Sequence, residues 1–197
     1  MNFSAVLLAG GESRRMGRDK AWIEVRGQPL LLRAVATVRR AGAGEVFVSG
    51  RRGGDYTPVD CPVLFDAKPG RGPLSGIERA LRVMRSPLLL VLAVDLPNMT
   101  ATFLRQLISG CNVARGVVPE WRGELEPLAA IYPKRCHALV LDALREDRLA
   151  ARDFAKTCVR AGLVRAFAIA AADRVRFANW NSPDDLSLIA SPRRLPS

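Results

Sequence analysis

The sequence predicts a three-layer α/β fold with a mostly parallel central sheet, and three observations carry that expectation. Apolar runs of strand length alternate along the chain with segments of helical period, the pattern of strands joined by crossover helices. Residues 88–94 are apolar throughout, as a strand covered on both faces must be. A glycine-rich, basic loop leaves the first apolar run, residues 4–9.

That first run is expected as the opening strand. After the loop, residues 22–25 read as a short extended piece closed by a turn at Gly27. Pro29 suits the start of a helix, because its fixed φ is already helical and its missing N–H is one that a helix start does not use. Leu30, Leu31, Ala34, Val35 and Val38 supply the buried stripe of that helix, and Gly42 and Gly44 end it. Strands are expected at 45–49 and 62–65, on either side of a polar stretch, and a helix at 74–85 leads into the strand 88–94. Thr100 has the chemistry of an N-cap for a helix ending near Gly110. Strands at 113–118 and 127–132, helices at 133–144 and 151–161, and a strand-turn-helix from Val175 complete the pattern. One domain is expected over residues 1–190, with 191–197 a loose tail.

With 197 residues, 49% of them hydrophobic, the chain can bury one substantial core. No run approaches the roughly 18 apolar residues of a membrane span. Residues 1–9 lack the basic start of a secretory leader and run straight into the glycine loop, so a cytoplasmic location is expected. Cys61, Cys111, Cys136 and Cys158 are widely spaced and His137 is the only histidine, which disfavours a zinc site and a disulfide framework. The thiols are expected to be buried.

A net charge of +11 favours anionic partners. The arginines are scattered through expected helices (Arg33, Arg39, Arg40, Arg79, Arg82, Arg85) with no aromatic platform beside them. They are expected on solvated faces rather than on a nucleic-acid surface.

The loop from Leu8 to Lys20 gathers three glycines, three arginines and a lysine within thirteen residues. Glycines let backbone amides approach phosphate oxygens, and the cations offset a triphosphate's charge. It is not a Walker A motif, because no Gly-Lys-Ser/Thr follows, and the adjacency of Gly10 and Gly11 rules out the dinucleotide fingerprint. Asp95 follows the strand 88–94, at the edge where open parallel sheets bind ligands. A carboxylate there suits either Mg2+ or the capping of a following helix. Asp66 precedes Gly72-Pro73-Leu74-Ser75-Gly76, where a turn-forming role is the ordinary reading. Trp121 suits stacking on a flat ring or simple packing. Glu124 and Glu126 are expected in a solvated loop, and no nucleophile accompanies His137.

The run Leu8-Ala9-Gly10-Gly11-x-Ser13-Arg14-Arg15-Met16-Gly17-x-Asp19-Lys20 closely resembles the signature of molybdenum cofactor guanylyltransferases, also called molybdopterin-guanine dinucleotide synthases. The resemblance continues in order through Gly27-Gln28-Pro29-Leu30, Asp66 and Gly72 to Gly76, Val94-Asp95-Leu96-Pro97, and Asn179-Trp180-Asn181-Ser182-Pro183-Asp184-Asp185-Leu186.

It implies a Rossmann-like nucleotidyltransferase fold and an Mg2+-dependent transfer of GMP from GTP to the terminal phosphate of molybdopterin or the molybdenum cofactor. It implies that Leu8, Ala9, Gly10, Gly11, Lys20, Ser49, Asp66 and Asp95 contact the nucleotide and that Asp95 holds the metal. Lys20, with Arg15 second, would neutralise phosphate charge, and Asn179 and Asn181 would meet the second substrate. Ser49 is a departure, since a relative carries an asparagine there and a serine offers a shorter reach and fewer hydrogen bonds. Molybdoenzymes or other cofactor-biosynthesis proteins are the expected protein partners. The rival readings are a cytidylyltransferase on the same pterin, a sugar-phosphate nucleotidyltransferase, and a non-catalytic nucleotide-binding partner of molybdoenzymes. The cytidylyl branch typically carries alanine at the Gly10 position.

Overall fold

A computed structural model of the chain describes residues 1–10, 20–66 and 70–179. Expectations for Gly11, Arg15, Asn181 and the 191–197 tail fall outside these residues.

The first strand, β1 (Ser4–Leu8), is apolar on both faces because both are covered. A 3-10 turn at Lys20–Trp22 follows the loop. A hairpin of β2 (Glu24–Val25) and β3 (Gln28–Pro29) then closes through Arg26 and Gly27, both with positive φ. This is the two-residue turn that matches strand twist.

Helix α1 (Leu30–Ala41) buries the expected stripe, and β4 (Glu45–Gly50) and β5 (Val63–Phe65) follow. Helix α2 (Pro73–Val83) leads to β6 (Leu88–Ala93), which is buried up to its last residue. Thr100 caps α3 (Ala101–Ser109) as expected, its Oγ accepting the Phe103 N–H at 3.3 Å.

The second half departs more. β7 (Gly116–Trp121) starts later than 113. The Asn112 side chain accepts the N–H groups of Ala114 and Arg115, and this local turn leaves Val113 exposed. β8 (Glu124–Leu125) forms an unexpected hairpin with β7, and β9 (Ala129–Pro133) follows it. A 3-10 turn at Lys134–Cys136 replaces the expected start of α4 (His137–Arg145). After α5 (Ala151–Arg160), β10 (Val164–Ala168) is a further unexpected strand, and a 3-10 segment at Ala171–Phe177 occupies part of the region read as strand-turn-helix.

The sheet order is β10-β7-β9-β6-β1-β4-β5. All pairings along this order are parallel except those of β9, which runs antiparallel between β6 and β7. Side chains alternate between faces. Ala5, Leu7, Leu90 and Leu92 pack with α1 and α3, whereas Val6, Leu89 and Val91 pack with α2, α4 and α5. Cys111, Cys136 and Cys158 are buried in these cores, and Cys61 is half-buried.

β7 and β9 approach so closely that a Cβ at Gly116 would lie 1.9 Å from the Ile131 carbonyl oxygen. At the amino edge of the sheet, Glu45 ties three segments together. Its carboxylate accepts the fully buried Ser4 hydroxyl at 2.7 Å, the Arg85 N–H at 3.0 Å and the Arg85 guanidinium at 2.8 Å. Burial pushes the Glu45 pKa up, but these donors outweigh it and hold the group at about 2, against an ordinary value of 4.5. Because the folded value is the lower, Glu45 stabilises the fold fully above about 4.5 and ceases to as pH falls towards about 2.

Glu45→Gln is therefore expected to cost about 2 kcal/mol at neutral pH. It should also flatten the loss of stability in that acidic window, as read by chemical denaturation at a series of pH values. An unchanged acid profile would contradict the assignment. Gly116→Ala is expected to cost about 3 kcal/mol, the upper end of overpacking penalties, measured in the same way.

Candidate functional site

The chain passes from β1 outwards to β4 and β5, then returns through α2 to pair β6 on the other side of β1. Strand order reverses there, and the carboxyl ends of the parallel strands leave a crevice at the reversal. In this crevice lies a cavity of about 510 Å3, lined by residues from each of these strand ends. That volume suits a nucleotide-sized ligand.

Leu8, Ala9, Gly10, Lys20, Ser49, Asp66 and Asp95 all line it. These are the expected nucleotide contacts, apart from Gly11, which lies outside the described residues. Register brings them together, since β1 pairs Leu8 with Ser49 on one side and with Ala93 on the other. The Ala9 N–H donates to the Ser49 carbonyl at 2.9 Å, which extends the alignment one residue past the strand.

Lys20 heads its 3-10 turn, beside the fully buried Ala21. Its ammonium lies 4.0 Å from the Asp95 carboxylate, with both side chains about a quarter exposed. Burial raises the Asp95 pKa, and the Lys20 charge opposes that rise. Asp66 sits just past β5. Burial raises its pKa too, and its Oδ1 is buried with no hydrogen-bond partner among the described residues. An unsatisfied buried acceptor is costly, and a donor or cation on a ligand would satisfy it.

Ser49 is buried against α2. A Cβ at Gly76 would come within 2.3 Å of the Ser49 hydroxyl, so the helix approaches the strand only because residue 76 is glycine. Gly10 is different: a Cβ there meets nothing nearer than 3.6 Å, in ordinary contact with the Gly50 backbone.

Gly72 and Pro73, at the amino end of α2, also line the cavity, and no side chain caps that helix start. The positive dipole end of that helix suits an anion. Their signal was the Gly72 to Gly76 motif that follows Asp66. Leu128 also lines the cavity. Nothing in the sequence marks it, because it arrives only through the insertion of β9 beside β6.

Asn179 is exposed and does not line this cavity. Trp121 is partly buried against the core, with the Arg122 and Arg174 guanidinium carbons 5.4 and 5.8 Å from its ring centroid. The expected solvated loop at Glu124 and Glu126 is instead partly structured. Glu124 pairs with Arg152 at 2.6 Å, and burial raises the Glu126 pKa. His137 bonds Glu78 across α2 and α4 at 3.0 Å, a packing role.

Among the described residues, no group of three or more His, Cys, Asp or Glu side chains gathers to hold a metal. Asp95 and Asp66 nevertheless fit a hard cation that takes most of its ligands from phosphate and water. Both carboxylates are made costly by burial, and one carries an oxygen without a partner.

Residues 5–162 match the family model described as the MobA-like NTP transferase domain. A probable molybdenum cofactor guanylyltransferase of Opitutus terrae is 37% identical over 185 residues, covering 92% of each chain. Among solved structures, the molybdopterin-guanine dinucleotide biosynthesis protein A of Archaeoglobus fulgidus superposes with a TM-score of 0.71 at 21% identity, over 94% of this chain and 95% of that one. The 2-C-methyl-D-erythritol 4-phosphate cytidylyltransferase of Thermus thermophilus does so with a TM-score of 0.68 at 20% identity, over 93% of this chain and 95% of that one. Continuous similarity over this length, together with a cavity built from the shared motifs, places the chain in the molybdenum cofactor guanylyltransferase family of MobA-like NTP transferases.

Proposed function

We propose that this chain transfers GMP from GTP to the terminal phosphate of molybdopterin or its molybdenum-loaded form, giving molybdopterin guanine dinucleotide and pyrophosphate. The observation that carries this reading is the single cavity at the strand reversal, where Lys20, Asp66, Asp95 and the uncapped start of α2 converge.

In the reaction, an acceptor phosphate oxygen attacks the α-phosphorus of GTP. The bond from that phosphorus to the oxygen bridging to the β-phosphate breaks, and pyrophosphate leaves with the electron pair. A phosphate monoester has a second pKa near ~6, so the attacking group is largely dianionic at neutral pH and needs no general base. What the protein supplies is positioning and charge neutralisation. Lys20 meets developing negative charge, the backbone at Leu8, Ala9 and Gly10 leaves room for the nucleotide, and the α2 amino end attracts an anionic group. Asp95, with Asp66 beside the same cavity, would hold Mg2+, which when bound neutralises phosphate charge. Arg15 and Gly11 belong to the same reading as further phosphate contacts, and Asn179 and Asn181 as contacts of the second substrate. A cytoplasmic location and delivery of the product to molybdoenzymes complete the proposal. Among the described residues no helix is long and apolar enough to cross a membrane.

Asp95→Ala is expected to lower pyrophosphate release from GTP and molybdopterin by about 100-fold or more. Thermal unfolding should stay at or above the wild-type midpoint, because burial makes the ionised Asp95 a cost to the fold. Near-normal turnover would overturn the assignment. Gly10→Ala is expected to fold normally, since its new methyl meets only ordinary contacts. It should narrow the cavity and erode the preference for GTP over CTP, read as the ratio of kcat/KM for the two nucleotides. An unchanged ratio would remove Gly10 from base selection.

A further inference from the structure

A second concave surface lies on the other side of the segment that carries Asp95. It has a volume of about 620 Å3 and, among the described residues, shares no lining residue with the nucleotide cavity. Four arginines line it: Arg26 from the β2–β3 turn, Arg33 and Arg40 from α1, and Arg105 from α3. Among the described residues no carboxylate lines this groove, and none of the four arginines has a carboxylate partner within 4.0 Å. Arginines outside it commonly do, as in Arg39 with Asp60, Arg85 with Glu45 and Arg152 with Glu124. Like charges gathered without counter-charge destabilise a surface, so the cluster requires another account than solvation.

The groove is also partly organised in advance. The Arg105 guanidinium donates to the Arg40 carbonyl at 2.8 Å and to the Thr102 hydroxyl at 3.3 Å, which fixes its position between the two helices. Arg33 carries a buried Nε–H with no acceptor among the described residues. Asn98 and Thr102 add neutral polar groups to the lining. Arg33 and Arg40 stand seven residues apart on α1, about two helical turns or roughly 10 Å along the axis, so positive charge extends across the groove rather than at a point.

We propose that this groove is a second anion site that takes a small molecule carrying two or more phosphate groups. Guanidinium groups bind phosphate in paired hydrogen bonds, and several spread over such a length suit more than one phosphate. A protein partner fits less well. Interfaces are anchored by exposed aromatic or aliphatic side chains, whereas among the described residues no aromatic residue lines the groove and its larger apolar residues, Val25 and Met99, are buried. Single-stranded nucleic acid would likewise lack a stacking surface. The lining runs through Pro97, Asn98 and Met99, directly after Asp95, so an occupant would rest on the segment that positions the catalytic carboxylate. The site stands independently of which nucleotide the enzyme uses.

Calorimetric titration of the full chain with inorganic tripolyphosphate, at about 0.15 M salt to screen non-specific attraction, tests this. Two classes of site are expected. Lys20→Ala should weaken only the class belonging to the nucleotide cavity. Arg33→Gln with Arg105→Gln should weaken the other at least tenfold and leave turnover of GTP unchanged. Arg26→Gln with Arg40→Gln, both on exposed residues, should act in the same direction and guards against misfolding of the first pair. Arg145→Gln with Arg148→Gln removes two charges elsewhere and should leave both classes intact. A single class abolished by Lys20→Ala would overturn the proposal. So would equal weakening by the Arg145 and Arg148 pair, or a polyglutamate peptide that binds the groove more tightly than tripolyphosphate does.

Discussion

The register of β1 between β4 and β6 is the constraint on which the rest of the structure depends. Pairing begins at Ser4 with Glu45 on one side and Leu89 on the other, and it carries through to Leu8 opposite Ser49 and Ala93. A slip of one residue would exchange the two faces of β1, setting Val6 against α1 and Leu7 against α2. It would also move Ala9 and Gly10 out of line with Ser49 and Asp95. The Glu45 clamp lies at the far end of the same strands, where Ser4 and Arg85 converge on one carboxylate. Stability is thus concentrated at the amino edge and chemistry at the carboxyl edge of one set of strands.

That division appears in the acids themselves. Glu45 is surrounded by donors and held well below the ordinary carboxylate range. Asp66 and Asp95 are raised by burial, and among the described residues Asp95 has a neighbouring cation, Lys20 at 4.0 Å. A fold selected for stability alone would pair or expose such groups. Leaving them partly unsatisfied costs free energy in the empty cavity and makes a cationic or donor-rich ligand more favourable there. Lys20, on the same cavity, acts in the opposite sense, offering positive charge to an anionic group.

The first half of the fold was legible because each of its elements has one dominant local signal. β6 is uniformly apolar, α1 carries a regular stripe after Pro29, and Thr100 has cap chemistry that the structure uses. The second half has competing signals. Val113 has strand propensity, but the Asn112 side chain closes a turn before it can pair. β10 is an edge strand whose residues alternate weakly, with Arg165 reaching sideways to the Gly110 carbonyl. The direction of β9 depends on where the short β7–β8 hairpin delivers the chain, which no local pattern records. The site divides in the same way. Lys20, Asp66 and Asp95 were legible through motifs, whereas Leu128 reaches the cavity only once β9 is in place.

The glycines show how far the fold can specify the chemistry. Gly116 and Gly76 are required by packing, since a methyl would meet the Ile131 carbonyl oxygen at 1.9 Å or the Ser49 hydroxyl at 2.3 Å. Neither position is free to respond to a change of substrate. Gly10 has no such obligation: its backbone is not in a left-handed conformation and a methyl would find ordinary contacts. The same architecture also serves a cytidylyltransferase, so the sheet and its crevice do not choose the base. Choice must then rest on positions that line the cavity without being fixed by the core, and Gly10 meets both conditions. Ser49 does not, because its hydroxyl is held against Gly76 and its carbonyl accepts the Ala9 N–H. The serine in place of a relative's asparagine is therefore tied to the packing of α2 on β4 as much as to the ligand. A longer side chain at residue 49 would have to turn into the cavity or displace the helix.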